Sequence, residues 1–118
     1  MTVFHISYDA KDSEDCENLR REIPIALLKG FPCIRDLTEP VRSTFRFVAD
    51  VGKDGQLEIL SVMREFAERC YYFASAADAY EKEGKSYFPS LTFANEGLDN
   101  NFQLMIKDEL AKSKDCLG

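Results

Sequence analysis

The first hydrophobic pattern in the chain has a period of two residues and covers residues 2–9. Its largest apolar side chains fall on one face of an extended chain, at Phe4, Ile6 and Tyr8. Successive side chains of a strand point to opposite faces of a sheet. The pattern therefore predicts a β-strand that ends at Asp9.

The next segment has the period of an α-helix. Its apolar residues recur every three or four positions, at Cys16, Leu19, Ile23 and Leu27. We expect this helix to begin at an N-cap formed by Ser13 and to end at Gly30. Because an interior proline has no amide donor, Pro24 predicts a kink, or a division into two short helices.

Two strands are predicted after this helix. Residues 33–38 are compatible with a short strand, and residues 42–51 predict a stronger one because Phe45 and Phe47 alternate with polar positions. The dipeptide Glu39–Pro40 lies between them. We therefore expect a β-hairpin with its turn at these two residues.

A glycine-containing loop is predicted at residues 52–55, with Asp54 as the cap of a following helix. Apolar positions spaced by four and three residues then predict a helix over residues 56–83. These positions are Ile59, Met63, Phe66, Cys70, Phe73, Ala77 and Tyr80. A strand over residues 71–76 is the alternative, because aromatic residues cluster there. The helix would be longer than the strands beneath it, so its C-terminal part is expected to overhang.

A strand over residues 86–94 and a helix over residues 98–114 complete the prediction. Pro89 confines the strand to a sheet edge, because proline cannot donate a hydrogen bond to a neighbouring strand. The helix is expected to bury an apolar stripe formed by Phe102, Met105, Ile106 and Leu110.

The predicted order is βαββαβ followed by a terminal helix, which is typical of the ferredoxin-like α+β fold. In that fold an antiparallel sheet carries its helices on one face, with the first and third strands central and the second and fourth at the edges. A chain of 118 residues has the size of one domain, so we expect a single domain over residues 1–118.

Charge and composition restrict the function classes. The net charge of −6 disfavours direct binding to nucleic acid or to an anionic membrane, since both need a basic surface. The chain has four cysteines in no paired motif, which is typical of reduced thiols and predicts a cytoplasmic location. His5 is the single histidine, and no glycine-rich phosphate loop is present. We therefore expect neither enzymatic activity nor a cofactor or metal.

An acidic run and several aromatic residues are the candidate binding groups. The run contains Asp9, Asp12, Glu14, Asp15 and Glu17, and it would suit a basic partner. Aromatic interface anchors are predicted at Tyr72, Tyr80, Tyr87 and Phe88. The leading hypothesis is a small acidic inhibitor of the antitoxin, immunity or phage anti-defence type. Its partner would be another protein, for example a basic nucleic-acid-binding enzyme.

Two alternative functions stay open. The segment Ile6–Ser7–Tyr8–Asp9 resembles the opening strand of the small CRISPR-associated adaptation nucleases and their antitoxin relatives, which have the ferredoxin-like fold and an aspartate at this point. The resemblance implies a metal-dependent nuclease that uses Asp9, and Asp9 with Asp12 offers oxygen ligands that suit Mg²⁺. The second alternative is a homodimeric scaffold built on the helix overhang or on an exposed strand edge.

Overall fold

The computed structural model describes the backbone of residues 1–79, 87–95 and 99–117, and the side chains of residues 1–78, 91–95 and 101–112. The strands are β1 (Thr2–Ala10), β2 (Arg35–Val41), β3 (Thr44–Ala49), β4 (Cys70–Ala79) and β5 (Tyr87–Ala94). The α-helices are α1 (Cys16–Gly30), α2 (Lys53–Ser61) and α3 (Asp99–Leu117). Short 3₁₀ helices at Ser13–Asp15 and Val62–Phe66 precede α1 and follow α2.

The strands form an antiparallel five-stranded sheet in the order β2-β3-β1-β4-β5. β1 pairs with β3 on one side and with β4 on the other. The predicted α+β class, the interior first and third strands and the second strand at an edge are confirmed. The exact ferredoxin-like order is not confirmed, because the chain's fourth strand is interior and a fifth strand extends the sheet.

The core lies between one face of this sheet and the helices α1 and α2. The alternating residues Phe4 and Ile6 of β1 and Phe47 of β3 are fully buried on that face. The rings of Phe4 and Phe47 stack with their centroids 4.8 Å apart. The helices contribute fully buried side chains at predicted positions, which are Leu19, Ile23 and Leu27 from α1 and Ile59 from α2, and the prediction missed the fully buried Leu60.

The first helix differs from its prediction at its start and at its proline. Asp12, not Ser13, caps the 3₁₀ helix, because its carboxylate accepts a hydrogen bond from the amide of Glu14 at 3.0 Å. α1 then runs unbroken through Pro24 to the predicted end at Gly30, so the division into two helices is wrong. Packing of the buried stripe on the sheet holds both halves in one helix.

The predicted hairpin is present with its turn displaced. Glu39 and Pro40 lie inside β2, and the turn is formed by residues 42 and 43. Ser43 has a φ of 64°, a left-handed conformation that closes the chain tightly between antiparallel strands. β2 is the edge strand beside β3, and an edge position tolerates a proline.

The predicted loop at residues 52–55 is largely helix. α2 begins at Lys53 with Gly52 as its cap, so the expected capping role of Asp54 is wrong. Gly55 is needed for a close approach, since a Cβ atom there would lie 2.7 Å from Cβ of Val51. The glycine signal therefore marks tight packing in the first helical turn.

The long helix over residues 56–83 is wrong beyond Phe66. The chain leaves the 3₁₀ helix there and enters β4, so the alternative interpretation of residues 71–76 as a strand is confirmed. Cys70, Ala74 and Ala76 of β4 are fully buried on the core face, and their period of two competes with the helical spacing in the same segment. Pairing along β1 favours the strand, and the overhang expected from Phe73 onward is wrong because residues 70–79 are extended.

The last two elements are where the sequence placed them, but their packing differs. β5 is an edge strand as predicted, and its register shifts opposite Ala76 and Ala77, close to Pro89. α3 contributes no described side chain to the core, so its predicted buried stripe is wrong. The single domain over residues 1–118 stays a prediction.

No helix in the described part of the chain has both the length and the apolar character needed to cross a membrane.

A buried polar cluster fixes α2 to the sheet. The side-chain amide of Gln56 donates to the hydroxyl of Thr2 and to a carboxylate oxygen of Asp78, at 2.9 Å in each case. The Thr2 hydroxyl lies 3.2 Å from the same oxygen of Asp78 and 3.3 Å from the carbonyl of Val51. The first turn of α2 is thereby joined to the paired ends of β1 and β4.

We expect the substitution Gln56→Leu to lower the free energy of unfolding by ~1–3 kcal/mol, because it leaves buried polar groups without their donor. Urea denaturation followed by circular dichroism measures the change. Gln103→Leu, at an exposed position of α3, is the matched control and should stay within ~0.5 kcal/mol of the parent. Equal stability of the parent and the Gln56 variant would contradict a supporting role for the cluster.

Candidate functional site

The predicted acidic run follows the end of β1 into the start of α1. Its members do not form one continuous free surface, because several of them are held by neighbouring groups. Asp12 serves as the cap described above. Glu17 lies 3.7 Å from Arg20, which also forms an ion pair of 2.9 Å with Glu39 of β2. Glu14 is exposed and has no ion-pair partner among the described residues.

Asp15 belongs to a three-residue cluster that we call the Arg69 clasp. Arg69 donates two hydrogen bonds of 2.8 Å to Asp15 and a further one to Glu22. Arg69 precedes β4, whereas Asp15 and Glu22 belong to the 3₁₀ helix and to α1. The clasp therefore ties the start of α1 to the entry of β4. The hydrogen bonds from Arg69 lower the pKa of both carboxyls.

An open pocket of about 430 Å³ lies beside the clasp. Its lining mixes both signs of charge and consists of Lys11, Asp12, Glu14, Asp15, Asn18, Glu68 and Arg69. Lys11 donates a hydrogen bond to the carbonyl of Ala67, and Arg69 is occupied by two carboxylates. The two cations of the pocket are therefore engaged within the chain, whereas Glu14 has no ion-pair partner among the described residues.

The sheet face turned away from α1 and α2, here called the outer face, carries rows of cross-strand neighbours. At one end Val3, Val48 and Ala77 form a buried apolar group. The next row contains His5, flanked by Arg46 and Ser75. Partial burial, followed by the neighbouring charge of Arg46, lowers the pKa of His5 and so favours its neutral form.

The other end of the outer face combines aromatic, hydroxyl and carboxylate groups. Ser7 pairs with Phe73 and its hydroxyl lies 3.0 Å from that of Thr44. The last row pairs Asp9 with Tyr71. Phe73 is 54% exposed, although its spacing in the sequence placed it in a helix seam. Only the strand pairing brings it to this surface.

Asp9 lies in a pocket of about 280 Å³, here called the Asp9 pocket. The pocket is lined by Ser7, Tyr8, Asp9, Tyr71, Tyr72, Phe73 and Asn95. Asn95 forms two side-chain hydrogen bonds with β4, accepting from the amide of Tyr72 and donating to the carbonyl of Cys70, each at 2.8 Å.

The predicted aromatic anchors have different outcomes. Tyr72 is only 9% exposed and packs with the core, so its expected place on an aromatic surface is wrong. Because successive side chains of β4 point to opposite faces of the sheet, Tyr71 and Phe73 point outward and Tyr72 does not. Tyr87 and Phe88 belong to β5, but their side chains lie outside the described part of the chain. Tyr80 also lies outside it.

The carboxylates do not assemble into a metal site. Asp9 projects from the outer face, and Asp12 is engaged as a cap beyond the end of the strand. Among the described residues, no group of three or more histidine, cysteine, aspartate or glutamate side chains is arranged to hold a metal ion. The geometry thus gives the Asp9 nuclease hypothesis no additional ligand.

α3 carries the largest set of exposed apolar side chains in the described structure. Phe102, Ile106 and Leu110 are four residues apart and lie on one helix face, with Met105 beside them. We call these four residues the α3 stripe. Their exposed fractions lie between 36% and 58%. Sequence periodicity located the stripe, but it did not show that these four residues would lie outside the core of the described residues.

Comparison with protein-family models, with curated proteins and with solved structures found no match for this chain. The resemblance of residues 6–9 to the adaptation nucleases therefore gains no support from these comparisons.

The Arg69 clasp predicts a stability loss in acid. Because the folded-state pKa values of Asp15 and Glu22 are lowered, their contribution is present above the unfolded-state pKa of about 4 and is lost as the pH falls through the folded-state values. Urea denaturation between pH 7 and pH 3 should show this decline in the parent and a flatter profile in Arg69→Gln.

Arg21→Gln is the control for this experiment. The Arg21 side chain donates to the backbone carbonyl of Glu17 and is exposed, so removing its charge leaves the clasp intact. A profile for Arg69→Gln that falls as steeply as that of Arg21→Gln would contradict the assigned role of the clasp.

Proposed function

We propose that this chain is a small protein-binding module that acts by surface contact with a protein partner, as an inhibitor, antitoxin, immunity or anti-defence protein would. The observation that carries the proposal is the α3 stripe, whose four apolar residues are exposed and contribute nothing to the core of the described residues. A contiguous apolar surface of this kind is costly in water and is characteristic of interaction sites.

The form of the stripe suits a defined binding mode. An amphipathic helix carries residues i, i+3, i+4 and i+8 on one face, and such a face binds a partner by lying in an apolar groove. Phe102, Met105, Ile106 and Leu110 have this spacing. Full burial of such side chains stabilises a complex by roughly 1.5–3 kcal/mol each before the cost of association is subtracted. The stripe is therefore large enough to anchor a partner.

The acidic character of the chain adds a second property to the proposed interaction. With a net charge of −6, the module would associate faster with a basic protein than with a neutral one. A basic nucleic-acid-binding enzyme remains the partner class that this charge favours. Asp12, Asp15 and Glu17 are already engaged within the chain, so direct contacts are proposed for Asp9 and Glu14 in preference to them.

We infer that β1 to β4, with α1 and α2, constitute a ferredoxin-like unit to which β5 and α3 are added. The order of these four strands, read from the β4 side as β4-β1-β3-β2, supports this interpretation. We also infer a cytoplasmic location, for which the free thiols of Cys16, Cys33 and Cys70 are the support. In this view β5 and α3 are what distinguish the chain from a minimal ferredoxin-like domain.

A homodimeric scaffold is the second candidate, and it is favoured by the symmetry of the α3 stripe. Phe102 and Leu110 each lie four residues from Ile106. In an antiparallel pair of α3 helices, Ile106 would contact its own copy while Phe102 of each chain met Leu110 of the other. Ridges formed by residues four apart pack together in this way, and a two-fold axis makes the contact self-complementary.

The double substitution Phe102→Ser/Leu110→Ser tests the proposed role of the stripe. We expect capture of the protein partner from the native cell or its host to fall at least about tenfold, because truncated interface anchors commonly cost more than 1 kcal/mol each. Affinity capture with quantitative identification of the bound proteins measures this. The thermal midpoint should be unchanged, because α3 contributes no described residue to the core.

Leu104→Ser/Ala111→Ser is the matched control, because these exposed residues lie on the opposite side of α3 at 100° per residue. It should capture the partner as the parent does. Light scattering separates the two candidates: a mass of 13.5 kDa fits the hetero-partner proposal, and twice that mass, lost in the stripe variant, fits the homodimer. Unchanged capture and unchanged mass in the stripe variant would refute both.

A further inference from the structure

We propose that the Asp9 pocket is a binding site for an arginine side chain presented by the protein partner. This inference rests on the proposed protein-binding function and adds a second contact point, separate from the α3 stripe. Three features of the pocket support it. They are the placement of its aromatic rings, the lack of a partner for its carboxylate among the described residues, and the contact of the neighbouring lysine with one of the rings.

The strand register sets the geometry of the pocket. Asp9 of β1 lies directly opposite Tyr71 of β4, and Ser7 lies opposite Phe73. Directly opposed residues have Cβ atoms about 4.5–5.5 Å apart, and diagonal neighbours on the same face are about 7–8 Å apart. The Asp9 carboxylate therefore stands within reach of a planar group that rests on the exposed ring of Phe73. A guanidinium group has that size and shape.

The carboxylate of Asp9 is available to such a ligand. Its residue is exposed, and none of the described residues forms an ion pair or a side-chain hydrogen bond with it. This separates it from Asp15 and Glu17, which are paired with Arg69 and Arg20. A free carboxylate beside aromatic rings combines charge attraction, two parallel hydrogen bonds and stacking for one ligand group.

The contact between Lys11 and Tyr71 shows that an aromatic ring on this surface binds a cation. Its ammonium group lies 5.1 Å from the centroid of the Tyr71 ring and donates to the carbonyl of Ala67 at 3.1 Å. The Tyr71 ring is thus already used by an intramolecular cation, whereas Phe73 has no cation over it among the described residues. The vacant ring favours an arginine, which stacks through its flat face, over a compact lysine ammonium.

Titration of the full ¹⁵N-labelled chain with Nα-acetyl-arginine amide, followed by NMR, tests the pocket directly. We expect chemical-shift changes centred on residues 7–9 and 71–73. The isosteric neutral compound Nα-acetyl-citrulline amide should produce no saturable change at these residues. Asp9→Asn should raise the apparent Kd for the arginine amide at least about tenfold, as expected for the loss of a charge-assisted hydrogen bond.

Glu58→Gln is the matched control, since it removes one exposed acidic charge on α2, outside the Asp9 pocket. It should leave the Kd within about twofold of the parent value, because screening weakens the effect of a distant surface charge. Phe73→Ser should weaken binding without changing the net charge. Equal binding by the parent and the Asp9 variant, equal binding of citrulline, or shifts centred elsewhere would overturn the proposal.

Two further measurements separate this inference from neighbouring ones. The stripe variant Phe102→Ser/Leu110→Ser should bind the arginine amide as the parent does, so failure of the α3 proposal does not by itself remove the pocket. Light scattering of the parent and of Phe73→Ser tests a second copy as the occupant. A dimer of the parent that dissociates in Phe73→Ser would overturn the arginine assignment, because the partner surface would then be this chain itself.

Discussion

The structure depends on the pairing of β1 along both of its edges. β1 bonds to β3 from Thr2 to Ser7 and to β4 from Thr2 to Ala10, which places it in the middle of the sheet. Backbone donors and acceptors that leave water must find partners in the protein. A central strand as apolar as β1 therefore requires a neighbour on each side. Residues 70–79 have a helical pattern in the sequence but form the strand β4. This strand is the second neighbour that β1 requires.

The same pairing explains which surface the molecule presents. Once β4 is extended, Tyr72 turns into the core, while Tyr71 and Phe73 turn to the outer face beside Asp9. A helix over this segment would have buried Phe73 with Phe66 and Cys70 in one seam. The Asp9 pocket therefore depends on strand register. Its two sides come from β1 and β4, which are far apart in the sequence.

Charge is distributed by the same tertiary contacts. Arg69 lies at the entrance to β4 and draws Asp15 and Glu22 into the clasp, so part of the acidic run supports the fold. Asp9 and Glu14 keep no ion partner in the described part of the chain. A count of acidic residues overstates the surface available to a basic partner, because ion pairs between distant segments cannot be read from neighbouring letters.

Local patterns in the sequence were sufficient for β1, for the buried stripe of α1, for the alternation of β3 and for the edge strand with Pro89. Each of these depends on side-chain period or on proline chemistry within a short segment. The turn of the hairpin, the end of α2 and the fate of the α3 stripe were decided only by tertiary structure. Residues 70–77 satisfied a helical and an extended period at once, and the choice between them came from pairing with β1, which is far away in the chain. The sequence by itself determined where apolar side chains recur, and the pairing of the strands in the sheet determined which of them are buried and which remain for a partner.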